Sequence, residues 1–560
     1  MIKKIFYILS LSAVVTVLGS CTKLNEEILD ETSSTGSTDK EIAEGIIAPV
    51  YAILPGLFQH TQYFALQQIS TDEAILPYRG GTDWGDNGIY ISLHKHETTS
   101  SDPNVRNVWN NITQGISRTV LALNTLNTNT DSNAPLFIAE ARGMRAYYNL
   151  LCLDLFGIAF QKDNLDVTST VLRGSEAIEY IKSELLAIEP IVRDDTGPGR
   201  ITKAAVWGLL ARLHLQSAIY RDIYASSFSF TSDDMDKVIQ YCDNIINSGK
   251  FALSPEYFEV FDDENHTNKE LIFAVDQRAD LNGHNRMAYF SLSGDQFPLP
   301  AYPGANGTDG PGITSDFYQS WAQAYAPDDP ADMDGRFLKR NLDTTQTCLP
   351  ANQFEIDRGI LRGQQYGLIR TNGVFETCGN GDMKVGKLYN NTRNRPDLPV
   401  YFTELIDFTT AGSNYNNGYR VEKYEFSKGS VSGRNFGEHD IVILRLADIY
   451  LMRAEAKLRK GSGNEAAALA DVNTVRASRT ARITPPALTE MNLDLLFRER
   501  GFELYWENVR RTDMIRFGKY EGTWTEKTNS DTKKRIFPIP QNAIDGASSL
   551  PGYLVQNDGY

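Results

Sequence analysis

Apolar residues recur at three- and four-residue spacing over long stretches near both ends of the chain, and that spacing fades in the middle. Phe137, Ala141, Met144, Tyr148, Leu151 and Leu155 fall on one face of a single helix. Asn133-Ala134-Pro135 supplies its start, because a proline in the first turn gives up an N–H that has no helical partner anyway. Gly157 supplies its stop. The same pattern predicts helices over 39–53, 104–126, 175–189, 202–221 and 233–248, and later over 439–459, 463–478 and 490–509.

The stretch Ala204-Ala205-Val206-Trp207-Gly208-Leu209-Leu210-Ala211 alternates small and large side chains, as closely packed helix pairs require. The next helix ends in Asn247-Ser248-Gly249. These units resemble tetratricopeptide-type helix pairs without a strict repeat period, and a plain helical bundle is the alternative. Between 250 and 437 Gly, Pro, Asn and Asp become frequent, as in the run Gly294 to Gly312. The expectation is a mostly α fold: a tetratricopeptide-like scaffold, in parts 39–249 and 438–560, interrupted by an irregular insertion over 250–437 with short strands. The whole of 39–560 reads as one integrated domain, and its loop-built insertion is where binding is expected.

The N-terminus carries its own signal. Lys3 and Lys4 precede an apolar run from Ile5 to Leu18, too short to span a bilayer comfortably, so residues 1–20 read as a secretory signal. Leu18-Gly19-Ser20-Cys21 resembles a bacterial lipobox, in which Cys21 becomes the first mature residue and carries a diacylglycerol and an N-acyl chain. Several acyl chains suffice for stable anchoring. The polar stretch 21–38 reads as a tether, and its acidic character resembles surface-export signals of Bacteroidetes lipoproteins. In an exported chain the remaining cysteines have three possible pairings. Cys152 and Cys242 lie in apolar helical patterns and are expected as buried thiols; Cys348 and Cys378 bracket a loop-rich segment and are expected to pair.

Charge and motifs narrow the function. The formal charge of −16 and the lack of a basic stripe argue against nucleic acid. Glu499, Glu503 and Glu507 share a helical face, but Arg500, Arg510, Arg511 and Arg516 lie close by, so ion pairs at a packing edge are the expected role. No Gly-x-Ser-x-Gly elbow is present, and His94-Lys95-His96 is too loose for zinc. A calcium loop at Asp328–Gly335 fails in register, since Gly335 at its sixth position puts Pro330 first and Asn341 twelfth. The expectation is a non-enzyme without cofactor or catalytic metal; a structural calcium ion in the insertion would leave no readable motif.

One loop stands out. Arg79-Gly80-Gly81-Thr82-Asp83-Trp84-Gly85-Asp86-Asn87-Gly88 sets a tryptophan among glycines and carboxylates. Its two anionic side chains would repel phosphate, and Gly-Lys-Ser/Thr is missing. A sugar suits it better, its C–H face stacking on Trp84 while Asp83, Asp86 and Arg79 bind hydroxyls. The competing reading packs Trp84 under its own loop. Tyr302, Phe297 and Trp321 are candidate partners across a cleft, and Asp72 either reaches that cleft or caps a turn.

Several segments together resemble the SusD/RagB family of surface lipoproteins in Bacteroidetes nutrient uptake. They include Ala139-Glu140-Ala141-Arg142-Gly143-Met144-Arg145-Ala146-Tyr147-Tyr148 followed by Leu155-Phe156-Gly157, and Trp207 through Tyr220 followed by Ile245-Ile246-Asn247-Ser248-Gly249. Leu444-Arg445-Leu446-Ala447-Asp448-Ile449-Tyr450 and Glu499-Arg500-Gly501-Phe502-Glu503-Leu504 with Arg510, Asp513 and Arg516 fit as well, as does the ending from Phe537-Pro538-Ile539-Pro540 to Tyr560. Asn508 departs from the family's usual glycine. The resemblance implies a glycan-binding lipoprotein on the outer-membrane surface that rests on a SusC-like TonB-dependent transporter barrel, and it places ligand contacts in the N-terminal loop and the insertion. A peptide-binding member of the same family, or a repeat scaffold that binds protein, are the rivals.

Overall fold

The amphipathic stretches fold as helices whose ends follow local chemistry. The computed structural model describes residues 39–79, 88–278, 283–410, 414–430, 434 and 436–560; the signal segment, Cys21 and the tether lie outside the described residues. The first group of helices is α1 (Asp39–Tyr51), α2 (Pro103–Leu126), α3 (Ala134–Phe156), α4 (Gly174–Ile188), α5 (Lys203–Arg221) and α6 (Ser232–Asn247). The Asp102 carboxylate accepts from the N–H groups of Asn104 and Val105 at the start of α2, and Thr202 and Thr231 cap α5 and α6 in the same way. Gly157 ends α3 at φ 69°, a left-handed conformation that glycine adopts without steric cost.

Each helix packs on the one before it: α2 on α3, α3 on α4, α4 on α5 and α5 on α6. Close approach explains Gly115, where a Cβ would stand 2.7 Å from the ring of Tyr148 in α3. Gly208 plays a similar part in α5, since a Cβ there would come within 2.8 Å of Leu444.

After α6 the chain leaves the stack. It passes through α7 (Ser315–Tyr325) and a set of short strands, and returns as α8 (Leu446–Arg459), α9 (Glu465–Ser478), α10 (Leu493–Leu504) and α11 (Arg510–Arg516). On return α8 packs directly against α6, so the stack continues across the insertion as though it were contiguous. Two strands zip the exit to the re-entry: Leu271–Val275 pairs antiparallel with Ile441–Arg445, Val275 opposite Ile441 and Leu271 opposite Arg445.

That pairing corrects the helix expected over 439–459. Residues 441–445 form a strand buried on both faces, and a short continuous apolar run does not distinguish such a strand from a buried helix. The helix expected over 490–509 is also shorter, ending at Leu504. Trp506 and Asn508 follow at φ 60° and 62°. Asparagine tolerates that region, so Asn508 meets the same backbone demand as a glycine. Trp506 does not tolerate it readily, and it is held by its surroundings: the indole packs edge-on to Phe64 at 5.3 Å, and the residue's backbone N–H donates to the Glu73 carboxylate at 3.1 Å.

The insertion has its own small apolar core, including Leu292, Phe297, Leu349, Phe354, Val385 and Phe402. Tyr366–Leu368, Met383–Lys387 and Cys348–Leu349 form a three-stranded antiparallel sheet, and Cys348 is joined to Cys378 by a disulfide. Cys152 and Cys242 are free and buried.

A buried ionic cluster binds the insertion to the C-terminal helices. Glu503 accepts from Arg445 at 2.7 Å, from Arg336 of the insertion at 2.9 Å, and from Arg479. Around this centre Glu499 holds Arg336 and Arg476, Glu507 holds Arg445 and Lys423, Glu270 holds Arg445 and Arg479, and Asp334 holds Arg336. Five cations thus meet five carboxylates, all buried. The expected ion pairs along one helix edge are therefore corrected: the partners are mostly distant in sequence, and they are enclosed. Burial pushes the Glu503 carboxyl up, but Arg479, Arg445 and Arg336 outweigh this and hold it well below the usual range. The neighbouring Glu455 is likewise pushed up by burial and brought down to about 2 by Arg516 and Arg459.

Removing one member of such a cluster strands its partners. Glu503→Ala is expected to cost about 3–5 kcal/mol, read as a lower denaturant midpoint by tryptophan fluorescence. Glu179→Ala, which breaks the largely exposed pair with Lys182, should move that midpoint by less than about 0.5 kcal/mol. Equal midpoints for the two variants would refute a structural role for the cluster. Depressed carboxyls bind protons more readily in the unfolded chain. Their stabilisation is therefore full above the unfolded value of about 4.3 and is lost as pH falls toward the folded one, about 2 for Glu455. Unfolding midpoints measured across that window should fall with pH.

Candidate functional site

The glycine-rich loop begins and ends on one stretch of the insertion. Gly80 to Asn87, with Asp83, Trp84 and Asp86, lie outside the described residues, but both flanks are placed. Ile75, Ile91, Ile406 and Phe408 form a small apolar cluster under the loop's root, with Tyr78 packed on it. Gly88 sits beside Thr410. Arg79 is buried, and its guanidinium donates to four backbone carbonyls: Asp309 at 2.6 Å, Asn414 at 2.7 Å, Asn417 at 3.0 Å and Gly310 at 3.3 Å. Burial lowers its pKa to about 10, partly offset by Asp309. Arg79 therefore anchors the loop's root, which replaces the expected role as a hand for ligand hydroxyls.

Two other expected contacts are enclosed. The Asp72 carboxylate is bidentate with Arg510, at 2.7 Å to both Nε and Nη2, so it neither lines a cleft nor caps a turn. Trp321 is 0 % exposed; it lies in α7 and stacks on Phe502 of α10 with ring centroids 3.7 Å apart. The glycine and proline density around 294–312 suggested free side chains there, but Thr314 caps a regular helix whose apolar face points at the scaffold. Phe297 is buried in the insertion's core, and Tyr302 is half-buried against the main core. The structure does not bring Asp72, Tyr302 and Trp321 together around one opening.

The opening lies next door. A cleft of about 360 Å³ runs along Tyr366, Tyr401 and Tyr419, with Arg362, Gln364 and Glu404 among its polar residues. Tyr401 is 48 % exposed. It pairs with Gln364 across a short two-stranded sheet, and Gly363, at φ 65°, lies beside its ring. The half-buried Tyr419 meets Tyr318 edge-on at 4.8 Å. Burial, then Tyr318 and Glu404, push the Tyr419 phenol up to about 12, so it remains a protonated donor at neutral pH.

The cations of this cleft are already compensated. Arg362 donates to Asp329 at 2.7 Å and to the Tyr318 hydroxyl at 3.1 Å, Arg340 pairs with Asp357, and Glu404 accepts from Gln319 at 2.9 Å. What remains is an aromatic face beside neutral hydrogen-bonding groups, paired cations and the Glu404 carboxylate, an acceptor for hydroxyls. Among the described residues, no cluster of three or more His, Cys, Asp or Glu could hold a metal ion.

Cleft and loop root share a segment. Asn416 accepts from the Tyr401 N–H at 3.4 Å and, through its carbonyl, from the Thr403 N–H at 3.0 Å, while Arg79 holds the carbonyls of Asn414 and Asn417. Tyr366, Tyr401 and Tyr419 were not among the sequence-derived candidates. Their local signal is a tyrosine beside paired amides, as in Gly363-Gln364-Gln365-Tyr366, and it lacks the glycine and proline density of the segment that drew attention.

Comparison with known proteins places this architecture. Over residues 247–560 the chain matches the family model described as the SusD family. It is 26% identical to the starch-binding protein SusD of Bacteroides thetaiotaomicron over 77% of this chain and 74% of that one. It is 23% identical to SusD-like protein P25 of Formosa agariphila, over 74% and 68%. Among solved structures, surface glycan-binding protein A from Bacteroides fluxus aligns with a TM-score of 0.65 at 18% identity, covering 93% of this chain and 99% of that one. The corresponding protein from Bacteroides thetaiotaomicron in complex with laminarihexaose aligns with a TM-score of 0.61 at 19% identity, covering 92% and 99%. The helical stack broken by an insertion is the fold of these proteins, and with more than half of its length matched, the chain belongs to the SusD family.

Proposed function

We propose that the chain captures a glycan at the bacterial surface, without covalent chemistry, and passes it to a SusC-like TonB-dependent transporter. The observation that carries the glycan reading is the cleft at Tyr401, where an exposed ring stands beside hydrogen-bonding polar groups whose cations are already paired. Stacking on the apolar face of a sugar and hydrogen bonding to its hydroxyls need that combination. A related protein described as starch-binding, and a similar fold described as glycan-binding and solved with laminarihexaose, support the same reading. Trp84, Asp83 and Asp86, from the loop whose root adjoins the cleft, would serve as further contacts for the sugar; Tyr302 is not among the residues that line that opening. Cys21 would carry the lipid that holds the chain on the outer membrane. Among the described residues no helix is long and apolar enough to cross a membrane.

On a glycan array, Tyr401→Ala and Trp84→Ala should each weaken the best sugar by about tenfold, or about 1.4 kcal/mol. Full affinity in both variants would move the site elsewhere. Binding to unfolded or degraded protein but to no sugar would favour the peptide-binding alternative. Cys21→Ala should release the chain from the membrane fraction and abolish acyl labelling; a variant that stays membrane-bound and protease-accessible on intact cells overturns the lipid anchor.

A further inference from the structure

A second cleft, of about 210 Å³, opens on the insertion beside the first. Its floor includes Phe297 and Leu368, and its walls include Arg370, Lys387 and Tyr389. The two clefts are neighbours through one strand pair, because Tyr366 of the first is the direct cross-strand partner of Lys387 of the second. Tyr389 is 40 % exposed, so this cleft also offers an open aromatic face.

The difference between the clefts is electrical. In the first, the cations are matched to carboxylates or phenols of the protein. In the second, the Arg370 guanidinium lies 4.0 Å from the ring centre of Phe297 and 5.0 Å from that of Phe375, and Nη2 donates to the Gly373 carbonyl. Its Nε is buried without a hydrogen-bond partner, and among the described residues it pairs with no carboxylate. Lys387 is exposed and, among the described residues, has neither carboxylate nor hydrogen-bond acceptor. The one acid in the cleft, Asp295, is taken up by the N–H and hydroxyl of Thr392, and burial pushes its carboxyl up. The nearby Glu376 is engaged by Lys384 and Thr371.

Lys387 with no carboxylate, and Arg370 with only the hydrogen-bonded Asp295 near it among the described residues, line one cleft, which is unexpected in a chain of net charge −16 unless something anionic visits it. A guanidinium held between two aromatic rings keeps its charge and its remaining donors in a fixed place, and the flexible ammonium supplies a second point charge. We propose that this cleft is a second subsite for the glycan, receiving an anionic substituent, a sulfate ester or a uronic carboxylate, while the neutral part of the same chain lies along Tyr401. The inference rests on the glycan reading above and adds the chemical class of the substituent.

The test uses the full chain in detergent on an array of neutral, sulfated and uronate-containing glycans, with inorganic polyphosphate as a polyanion without sugar. Wild type should favour anionic glycans over their neutral counterparts, and which of the two anions dominates identifies the group. Lys387→Gln and Arg370→Gln should each lower anionic binding at least tenfold, leave neutral glycans unchanged and flatten the salt dependence. Lys387→Gln alters an exposed side chain, so lost binding in that variant is not attributable to misfolding. Binding confined to neutral glycans, or anionic binding unchanged in both variants, overturns this subsite and leaves the glycan reading intact. Equal retention by polyphosphate also overturns it, as simple ion exchange. Binding to no sugar at all would instead sink the glycan reading, and the subsite with it.

Discussion

The Glu503 carboxylate, held by three guanidiniums, is the interaction on which the architecture turns. Each guanidinium arrives from a different part of the chain: Arg336 from the insertion, Arg445 from the end of the re-entry strand, and Arg479 from just after α9. Buried charges tolerate no vacancy, because an unmatched one faces the full cost of lost hydration. The cluster therefore specifies geometry more than it adds net stability. An apolar core of the same volume would accept small shifts between insertion and stack, whereas a set of matched charges accepts only one arrangement. The wide reach of the chain around the site is fixed by this demand.

The binding face uses the same physics at the surface. In the cleft along Tyr401 the protein pairs its own cations, so what it shows to solvent is aromatic area and hydrogen-bonding capacity. Along Arg370 and Lys387 it leaves charge unspent. Two adjoining hollows built on one strand pair thus differ in charge: the cations of the first are paired within the protein, and among the described residues Lys387 of the second is not. The glycine-rich loop is rooted in the same segment, 414–417, that positions Tyr401, so movement at that segment is felt by both.

Much of the scaffold was legible because helix periodicity is local. The helix expected over 104–126 spans 103–126, and that expected over 233–248 spans 232–247. The pairing of Cys348 with Cys378 followed from their bracketing of a loop-rich stretch. The errors are those of distance. Asp72 looked available because its partner, Arg510, lies 438 residues away, and Trp321 looked free because Phe502 is also remote in sequence. Ile441 to Arg445 read as helix because a strand buried on both faces has no alternation to betray it. The tyrosines of the cleft were illegible for a related reason: their exposure is decided by the pairing of short strands, and strands of two residues leave almost no periodic trace.

The two-stranded neck has a consequence for how such a protein can change. Exit and re-entry of the insertion stand opposite each other, at Leu271 and Arg445. Everything between them is topologically a cassette on a single stem. Lengthening or trimming a loop in a cassette costs closure entropy that grows only with the logarithm of length, so recognition surfaces can be rewritten while the stack stays as it is. The freedom is bounded where the cassette meets the charge cluster: Asp334, Arg336 and Lys423 are its own members there, and a replacement that omits Arg336 or Lys423 would leave carboxylates on the stack's side short of a partner.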